Sequence, residues 1–116
     1  MAPWPRHLSS ARDLAELARA ALAHPDLEAA VGAARWVAYG SRQIELWNTN
    51  ALLGWYPGVD GLKTGFTDEA GRTLAASATR GGRRVIVVLL DAPTRERDAR
   101  LLLDWAFAAF SWPGGP

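Results

Sequence analysis

Two residue types are nearly missing from this sequence: it has no cysteine, and Lys63 is the single lysine among its 13 lysine and arginine residues. The absence of cysteine excludes a disulfide framework, a thiolate zinc site and a thiol nucleophile. We expect neither a metal nor a cofactor. No apolar run exceeds six residues, so we also expect no membrane segment. Residues 1–8 lack the apolar stretch of a signal peptide, which leaves the localisation open.

An excess of one charge is missing as well, since the formal net charge is only +1. Such a balance gives no field that would attract nucleic acid. The stretch TRGGRR, residues 79–84, is similar to an RGG-type nucleic-acid segment, but an exposed hairpin tip also favours glycine. We prefer the hairpin and predict no nucleic-acid partner. With 49% hydrophobic residues, the chain can form a small globular domain with a core.

Helical patterns are present near both ends of the chain. Ser10 followed by Asp13 is a variant of the capping box, and the apolar spacing after it predicts an amphipathic helix over 11–23. A second short helix is predicted over 25–34. Thr94 is placed to cap a last helix. The predicted buried stripe of that helix is Ala99, Leu102, Leu103, Ala106 and Phe110.

Between these helices the pattern changes to that of strands. The predicted strands are residues 35–39, 43–47, 59–66, 73–79 and 84–90. Gly40-Ser41 and Gly81-Gly82 are suited to tight turns within the first and the last pair. The run 85–90 is apolar throughout, as in a strand covered on both faces. Its hairpin partner covers only one of its edges, and nothing else pairs with the other unless the hairpin over 35–48 does. An open apolar edge favours aggregation, which indicates that a partner strand is missing. The element order predicts an α+β fold.

Lys63 lies in the stretch GVDGLKTGFT, residues 58–67. A P-loop would require glycine directly before the lysine and a helix after it, whereas Leu62 precedes Lys63 and a strand-like run follows. A K-T-G on a strand edge fits better, with a compact charge on Lys63, a hydroxyl on Thr64 for a carboxylate, and room beside Gly65 for a substrate backbone. The simpler alternative is a surface lysine in a turn, because a bare tripeptide also arises by chance.

The surroundings of this motif resemble a known family. YPGVDGLKTGFTDEAGRTLAASATRGGRRVIVVLLDAPTRERDARLLLDWAF is similar to the C-terminal part of the catalytic domain of the D-alanyl-D-alanine carboxypeptidases, which are low-molecular-mass penicillin-binding proteins of peptidase family S11. HLSSARDLAELARAAL resembles the helix after the family's S-x-N element, and NTNALL its N-x-N-x-L-L segment. We therefore predict that 9–110 form the C-terminal portion of this domain, between a loose arm, 1–8, and a flexible tail, 111–116.

The resemblance implies a transpeptidase-like domain, with a five-stranded antiparallel sheet, helices on both faces and K-T-G on an edge strand. It also implies that a serine attacks the bond between the two terminal D-alanines of a peptidoglycan stem peptide, after which water releases the shortened peptide. The family acts outside the cytoplasmic membrane. Its carboxylate-binding and proton-relay roles fall on Lys63 and Thr64, with Gly65 keeping the strand edge open.

The sequence departs from the family at the nucleophile. An S-x-x-K cannot be present, because Asp60 stands three residues before the only lysine, and no serine begins an S-x-N. We therefore expect no nucleophile or base in this chain, and we expect it to begin after S-x-N, without the first strands and the active-site helices. Some members carry a basic residue where Thr49 stands and a histidine where Phe66 stands. Neither is present here.

The aromatic residues near the motif allow two interpretations. Trp55, in the loop before K-T-G, and Phe66 are candidates for the rim of a cleft. The tryptophans could instead stack on carbohydrate. However, Trp36 and Trp47 are predicted to face each other across the first hairpin, so packing is the better interpretation for them.

Asp60 and Asp68 flank the motif strand. Both could be catalytic carboxylates, but turn and ion-pair roles near Arg72 fit them better.

The preferred hypothesis is a C-terminal segment of a serine-type D-Ala-D-Ala carboxypeptidase that is catalytically incomplete alone. One alternative is a non-enzymatic module that binds peptidoglycan peptides or complements a separate N-terminal fragment carrying S-x-x-K. A decayed remnant without function is the other. We also predict that the isolated chain has poor stability, because of the open edge at 85–90.

Overall fold

The computed structural model describes residues 7–112, which form three helices and five strands. The elements are α1 (Ala11–Leu22), α2 (Pro25–Gly32), β1 (Arg35–Ala38), β2 (Ile44–Trp47), β3 (Val59–Thr67), β4 (Gly71–Arg80), β5 (Arg83–Leu89) and α3 (Arg95–Ala109). The strands form two antiparallel sheets: a hairpin of β1 and β2, and a three-stranded sheet in the order β3-β4-β5. Most of the predicted arm and tail lies outside the described residues.

Helix α1 begins where the capping pattern predicts. The Ser10 hydroxyl accepts a hydrogen bond from the backbone N–H of Asp13 at 3.1 Å, which satisfies one of the free donors of the first turn. Helix α2 begins at Pro25, also as predicted, because proline lacks the N–H that the first turn would leave unbonded.

The three-stranded sheet is packed between helices on its two faces. Ile86 and Val87 are neighbours in β5, so their side chains point to opposite faces. Ile86 packs with Leu22 of α1, and Val87 packs with Leu103 of α3. Full burial of a leucine such as Leu103 contributes about 2 kcal/mol. The predicted cover of β5 on both faces is therefore confirmed.

The two hairpins differ in how well the sequence predicts their turns. Gly81 and Gly82 have φ angles of 58° and 76°, so the two-residue turn between β4 and β5 is confirmed. The prediction of a two-residue turn at Gly40-Ser41 is wrong, since Ala38 pairs with Ile44 and five residues connect β1 to β2. Gly40 does not have a positive φ, which a two-residue turn would require of it.

Helix α3 departs from prediction in its cap and its buried stripe. Thr94 stands at the N-cap, but its hydroxyl donates to the Asp98 carboxylate at 3.2 Å and not to a backbone group. Leu102 is exposed because it lies beside the buried row and not within it. Phe110 follows the helix in extended backbone and packs edge-on against Trp105. The stripe residues that are buried as predicted are Ala99, Leu103 and Ala106.

Among the described strands, β3 and β5 are each paired only with β4. The β1–β2 hairpin forms a separate sheet and does not extend β5. None of the described helices is long and apolar enough to cross a bilayer.

Candidate substrate-binding edge

The K-T-G residues lie in the middle of β3, an outer strand of the sheet. Their partners on β4 are Ala75 for Lys63, Leu74 for Thr64 and Thr73 for Gly65. Within residues 7–112 no strand pairs with the other side of β3, so this edge can take an added strand, beside the hydrogen bonds that the carbonyls of Thr64 and Gly65 accept from Lys63 and Arg95. An extended peptide can therefore align along Lys63 to Gly65.

The two polar side chains of the motif have different environments. Lys63 is exposed, its ammonium donates to the backbone carbonyl of Thr64, and it forms no ion pair within the described residues. Thr64 is only 8% exposed. Its hydroxyl lies 2.6 Å from the hydroxyl of Thr49. The edge thus presents an exposed charge beside a hydrogen-bonded pair of hydroxyls.

Asn50 fixes the segment that carries Thr49. Its side chain is 2% exposed and donates from Nδ2 to the carbonyl of Gly61 at 2.8 Å. Its Oδ1 accepts from the backbone N–H of Leu52 at 3.1 Å. A buried amide satisfied on both sides has little freedom, so Asn50 ties the loop to β3 directly before the motif.

Asn48, the residue before Thr49, is also held by hydrogen bonds. Its Nδ2 donates to the carbonyl of Ala33 at 3.1 Å, and its Oδ1 accepts from the backbone N–H of Asn50 at 2.9 Å. The sequence marks both asparagines through the N-x-N pattern, but their bonding partners follow only from the structure. Together they hold Thr49 against the motif.

Arg95 is a residue of this edge that the sequence analysis missed. Its Nη1 donates to the carbonyls of Gly65 at 3.0 Å and Thr73 at 3.2 Å, and its side chain is 14% exposed. A signal was available, because a cation at the first position of a helix such as α3 opposes the helix dipole and so indicates a specific contact. Burial tends to raise the pKa of Glu96, but its hydrogen bond from Arg95 lowers the pKa overall.

Gly65 is required by the partner strand as well as by the open edge. A Cβ at this position would lie 2.7 Å from Oγ1 of Thr73, closer than real Cβ atoms come to other atoms. The role that the sequence suggests for Gly65 concerns only the side that faces the substrate. The structure adds a close cross-strand approach.

Comparison with known proteins places this geometry in a family. The sequence profile described as Peptidase_S11, D-alanyl-D-alanine carboxypeptidase, matches residues 4–94. The chain belongs to this family. D-alanyl-D-alanine carboxypeptidase DacF of Bacillus subtilis is 39% identical over 90% of the chain and 28% of its own length. DacB2 of Mycobacterium tuberculosis is 36% identical over 86% of the chain and 37% of its own length.

Solved structures agree with the family assignment. The Streptomyces K15 DD-transpeptidase matches with a TM-score of 0.82 and 36% identity, over 86% of this chain and 42% of that protein. Penicillin-binding protein D2 of Listeria monocytogenes matches with a TM-score of 0.76 and 39% identity, over 85% of this chain and 41% of that protein. The predicted S11 relationship and the partial transpeptidase-like fold are confirmed. The chain spans between 28% and 42% of the length of each of these relatives.

In this S11 chain Asp60 is part of a polar network beneath the edge. Its carboxylate accepts from the hydroxyls of Ser77 and Thr79, each at 2.6 Å. It also accepts from Nη2 of Arg84 at 2.8 Å. Burial alone would raise the pKa of Asp60, but these hydrogen bonds and the charge of Arg84 hold that pKa below its ordinary value.

For Asp60 the predicted ion-pair partner is wrong. Its carboxylate pairs with Arg84 and not with Arg72. Arg84 also donates to Glu28 at 3.1 Å, which links β5 to α2. Asp68 is exposed at the end of β3. The hydrogen bonds of this network connect β3, β4, β5 and α2, which is a structural role. Within residues 7–112 no group of three or more acidic or histidine side chains is placed to bind a metal.

The candidate rim residues, Trp55 and Phe66, both have exposed side chains. Trp55 is 63% exposed, and the guanidinium of Arg100 on α3 lies 5.4 Å from its ring centre. Phe66 is exposed and stands opposite Arg72 in the β3–β4 register. Neither side chain lines the cavity of about 380 Å³ that borders Lys63.

The expected packing of two tryptophans is also wrong. In the β1–β2 register Trp36 stands opposite Leu46, and Trp47 stands opposite Arg35. The tryptophans are therefore one register position apart and project to opposite faces of the hairpin. Each is 67% exposed.

Proposed function

We propose that this chain supplies the substrate-binding strand of a serine-type D-Ala-D-Ala carboxypeptidase that acts on peptidoglycan stem peptides. The observation that carries the proposal is the K-T-G on the open edge of β3, with Lys63 exposed and free of ion pairs within the described residues. Family membership supplies the chemistry, since the relatives are named D-alanyl-D-alanine carboxypeptidases.

In this proposal a peptide ending in D-Ala-D-Ala lies along β3 as an added strand. Its backbone pairs with the outward groups of the strand near Gly65, and its terminal carboxylate is bound by Lys63 and Thr64. Two opposite charges 4 Å apart attract by about 1 kcal/mol in water and by about 4 kcal/mol at a partly buried site. Lys63 therefore supplies attraction, while the hydroxyl and the strand supply orientation.

The chain contributes binding groups but no acyl-transfer nucleophile. The sequence has no S-x-x-K, since Asp60 stands where that serine would precede the only lysine. Ser77 is the one serine bonded to a carboxylate in the described residues, but it is fully buried and donates to Asp60. Attack by this hydroxyl on a peptide at the edge of β3 is sterically excluded.

Labelling with a fluorescent penicillin tests the missing nucleophile. We expect no covalent label on the isolated chain, under conditions that label the Streptomyces K15 DD-transpeptidase. A stable acyl adduct on this chain would overturn the claim that it holds no nucleophile.

Peptide titration tests the binding role separately. We expect an N-acetylated tripeptide ending in D-Ala-D-Ala to shift the amide resonances of β3, with roughly tenfold weaker binding in Lys63→Ala through the loss of its charge. Arg12→Ala is the matched control, because it removes one exposed cation from α1. Equal losses of affinity in both variants would show that only the net charge matters and would refute the site.

A second candidate function is non-catalytic association with a separate fragment that carries S-x-x-K. The free edge of β5 favours it, together with the cavity that borders this strand. Apolar residues that line this cavity include Leu14, Leu17, Ala18, Val88 and Leu89. We expect that mixing the chain with such a fragment of a relative would generate penicillin labelling that neither piece shows alone. A decayed remnant would show neither peptide binding nor complementation.

A further inference from the structure

We propose that Thr49 is a positioning residue for the carboxylate subsite and that it acts through Thr64. The inference rests on the proposed function, in which Thr64 binds the terminal carboxylate of a peptide. The observation behind it is the distance of 2.6 Å between the two hydroxyl oxygens. Thr49 is exposed and Thr64 is buried, so the pair connects the interior to the binding edge.

A bound carboxylate favours one direction of the hydrogen bond between the two hydroxyls. Each hydroxyl has one proton and can accept two hydrogen bonds, whereas a carboxylate can only accept. If Thr49 donates to Thr64, the proton of Thr64 is free for the carboxylate. If Thr64 donates to Thr49, the oxygen of Thr64 turns lone pairs toward an anion. A bound carboxylate therefore selects the first arrangement, and in such a chain each hydrogen bond strengthens the next.

The position of Thr49 is fixed before a ligand arrives. Asn48 and Asn50, on either side of it, are bonded to the carbonyls of Ala33 and Gly61. The branched side chain of threonine also has few χ1 rotamers. The Thr49 oxygen is thus already in place beside Thr64 in the free protein, so a bound carboxylate has only to select the direction of the hydrogen bond.

A pair of peptides separates carboxylate recognition from other binding. The full 116-residue chain is titrated with the N-acetylated D-Ala-D-Ala tripeptide and with its C-terminal carboxamide twin, and amide shifts are followed by NMR. We expect Thr49→Val to weaken binding of the carboxylate peptide roughly fivefold, as for the loss of one hydrogen bond, and to leave carboxamide binding unchanged. Thr49→Ser retains the hydroxyl and is expected to bind within about twofold of the parent protein.

The background variant Thr64→Val tests whether Thr49 acts through its neighbour. In that background we expect Thr49→Val to have no further effect on carboxylate binding. Additive losses would show that Thr49 touches the ligand itself and would overturn the positioning role. Equal losses in Thr49→Val and Thr49→Ser would also overturn it, because the hydroxyl would then be irrelevant. Thr49→Ala replaces the valine variant if valine prevents folding.

Failure of the underlying function gives a different result. If the parent protein binds neither peptide, or binds both equally and is insensitive to Lys63→Ala, the carboxylate subsite itself is refuted. If Lys63→Ala weakens binding and Thr49→Val does not, the subsite stands and only the role of Thr49 is refuted.

Discussion

The two outer strands of the sheet, β3 and β5, are alike in topology and opposite in character. Among the described strands, each pairs only with β4. The β3 edge carries an exposed lysine and is fixed from behind by Asn50 and Arg95. The β5 edge carries an unbroken apolar run, residues 85–89, and the cavity that this strand shares with Lys63 and Thr64 is lined mainly by leucine, valine and alanine.

The difference teaches what an open strand edge must have to serve as a binding site. A lysine on an edge discourages pairing with other chains, while fixed backbone groups remain available to one correctly shaped peptide. The β5 edge has the opposite composition and is suited to being covered. We therefore interpret β3 as a site for a ligand and β5 as a site for a strand.

The largest effect is expected from removing the support behind β3. Asn50→Ala would leave the carbonyl of Gly61 and the N–H of Leu52 without partners at a buried position. Each such loss costs about 1–3 kcal/mol, so we expect the free energy of unfolding in urea to fall by about 3 kcal/mol. An unchanged urea midpoint would show that water replaces the amide and that the edge is not fixed from this side.

The next effect concerns the carboxylate of Asp60 and depends on pH. Its pKa is lower in the folded chain than in the unfolded one, so its contribution is complete above the ordinary pKa of about 4 and is lost as pH falls through the folded value. We expect Asp60→Asn to destabilise the protein by about 2 kcal/mol at neutral pH and by less in acid.

Urea unfolding between neutral pH and about pH 3 measures this dependence. Asp68→Asn is the matched control, since Asp68 is an exposed aspartate at the end of the same strand. If the Asp60 and Asp68 variants lost stability in parallel with the parent protein at every pH, the network around Asp60 would not be the cause.

The sequence predicts those parts of the fold that depend on neighbouring residues. The cap at Ser10 and the turn at Gly81-Gly82 follow from local backbone chemistry, and both are confirmed. The misplaced pair Trp36 and Trp47 depended on the length of a turn, and an error there changes the face to which every side chain points.

The sequence was sufficient to predict the K-T-G motif of the site but not the residues that hold the motif in place. Lys63 is visible as the only lysine, but Arg95 reaches Gly65 across 30 positions of sequence, and no local pattern gives that distance. The partner of Asp60 was misjudged for the same reason. Arg72 is nearer in sequence, whereas Arg84 reaches the carboxylate only because β5 pairs beside β4.

A smaller effect is expected at Gly65 and separates its two roles. Gly65→Ala places a Cβ against the hydroxyl of Thr73, and we expect a loss of about 1–2 kcal/mol in stability from this overpacking. Adding Thr73→Ala removes the clash and should restore the urea midpoint, with Thr73→Ala alone as the control. If the double variant also recovers peptide binding, the glycine serves the sheet and not the substrate.

The smallest change in stability is expected from exchanging the characters of the two edges. Val88 is half-buried in β5 and lines the cavity, so the stem of a lysine can follow the apolar wall while its ammonium reaches water. We expect Val88→Lys to alter the free energy of unfolding by less than about 1 kcal/mol and yet to reduce self-association.

The reciprocal variant, Lys63→Val, removes the charge that protects β3 and should increase association. Sedimentation velocity over a range of protein concentrations measures both variants against the parent protein. Opposite shifts in the sedimentation coefficient would show that side-chain chemistry, and not the mere absence of a partner strand, determines which edge associates with other chains. Identical sedimentation of all three proteins would refute that distinction, because a free edge would then behave alike whether it carries lysine or valine.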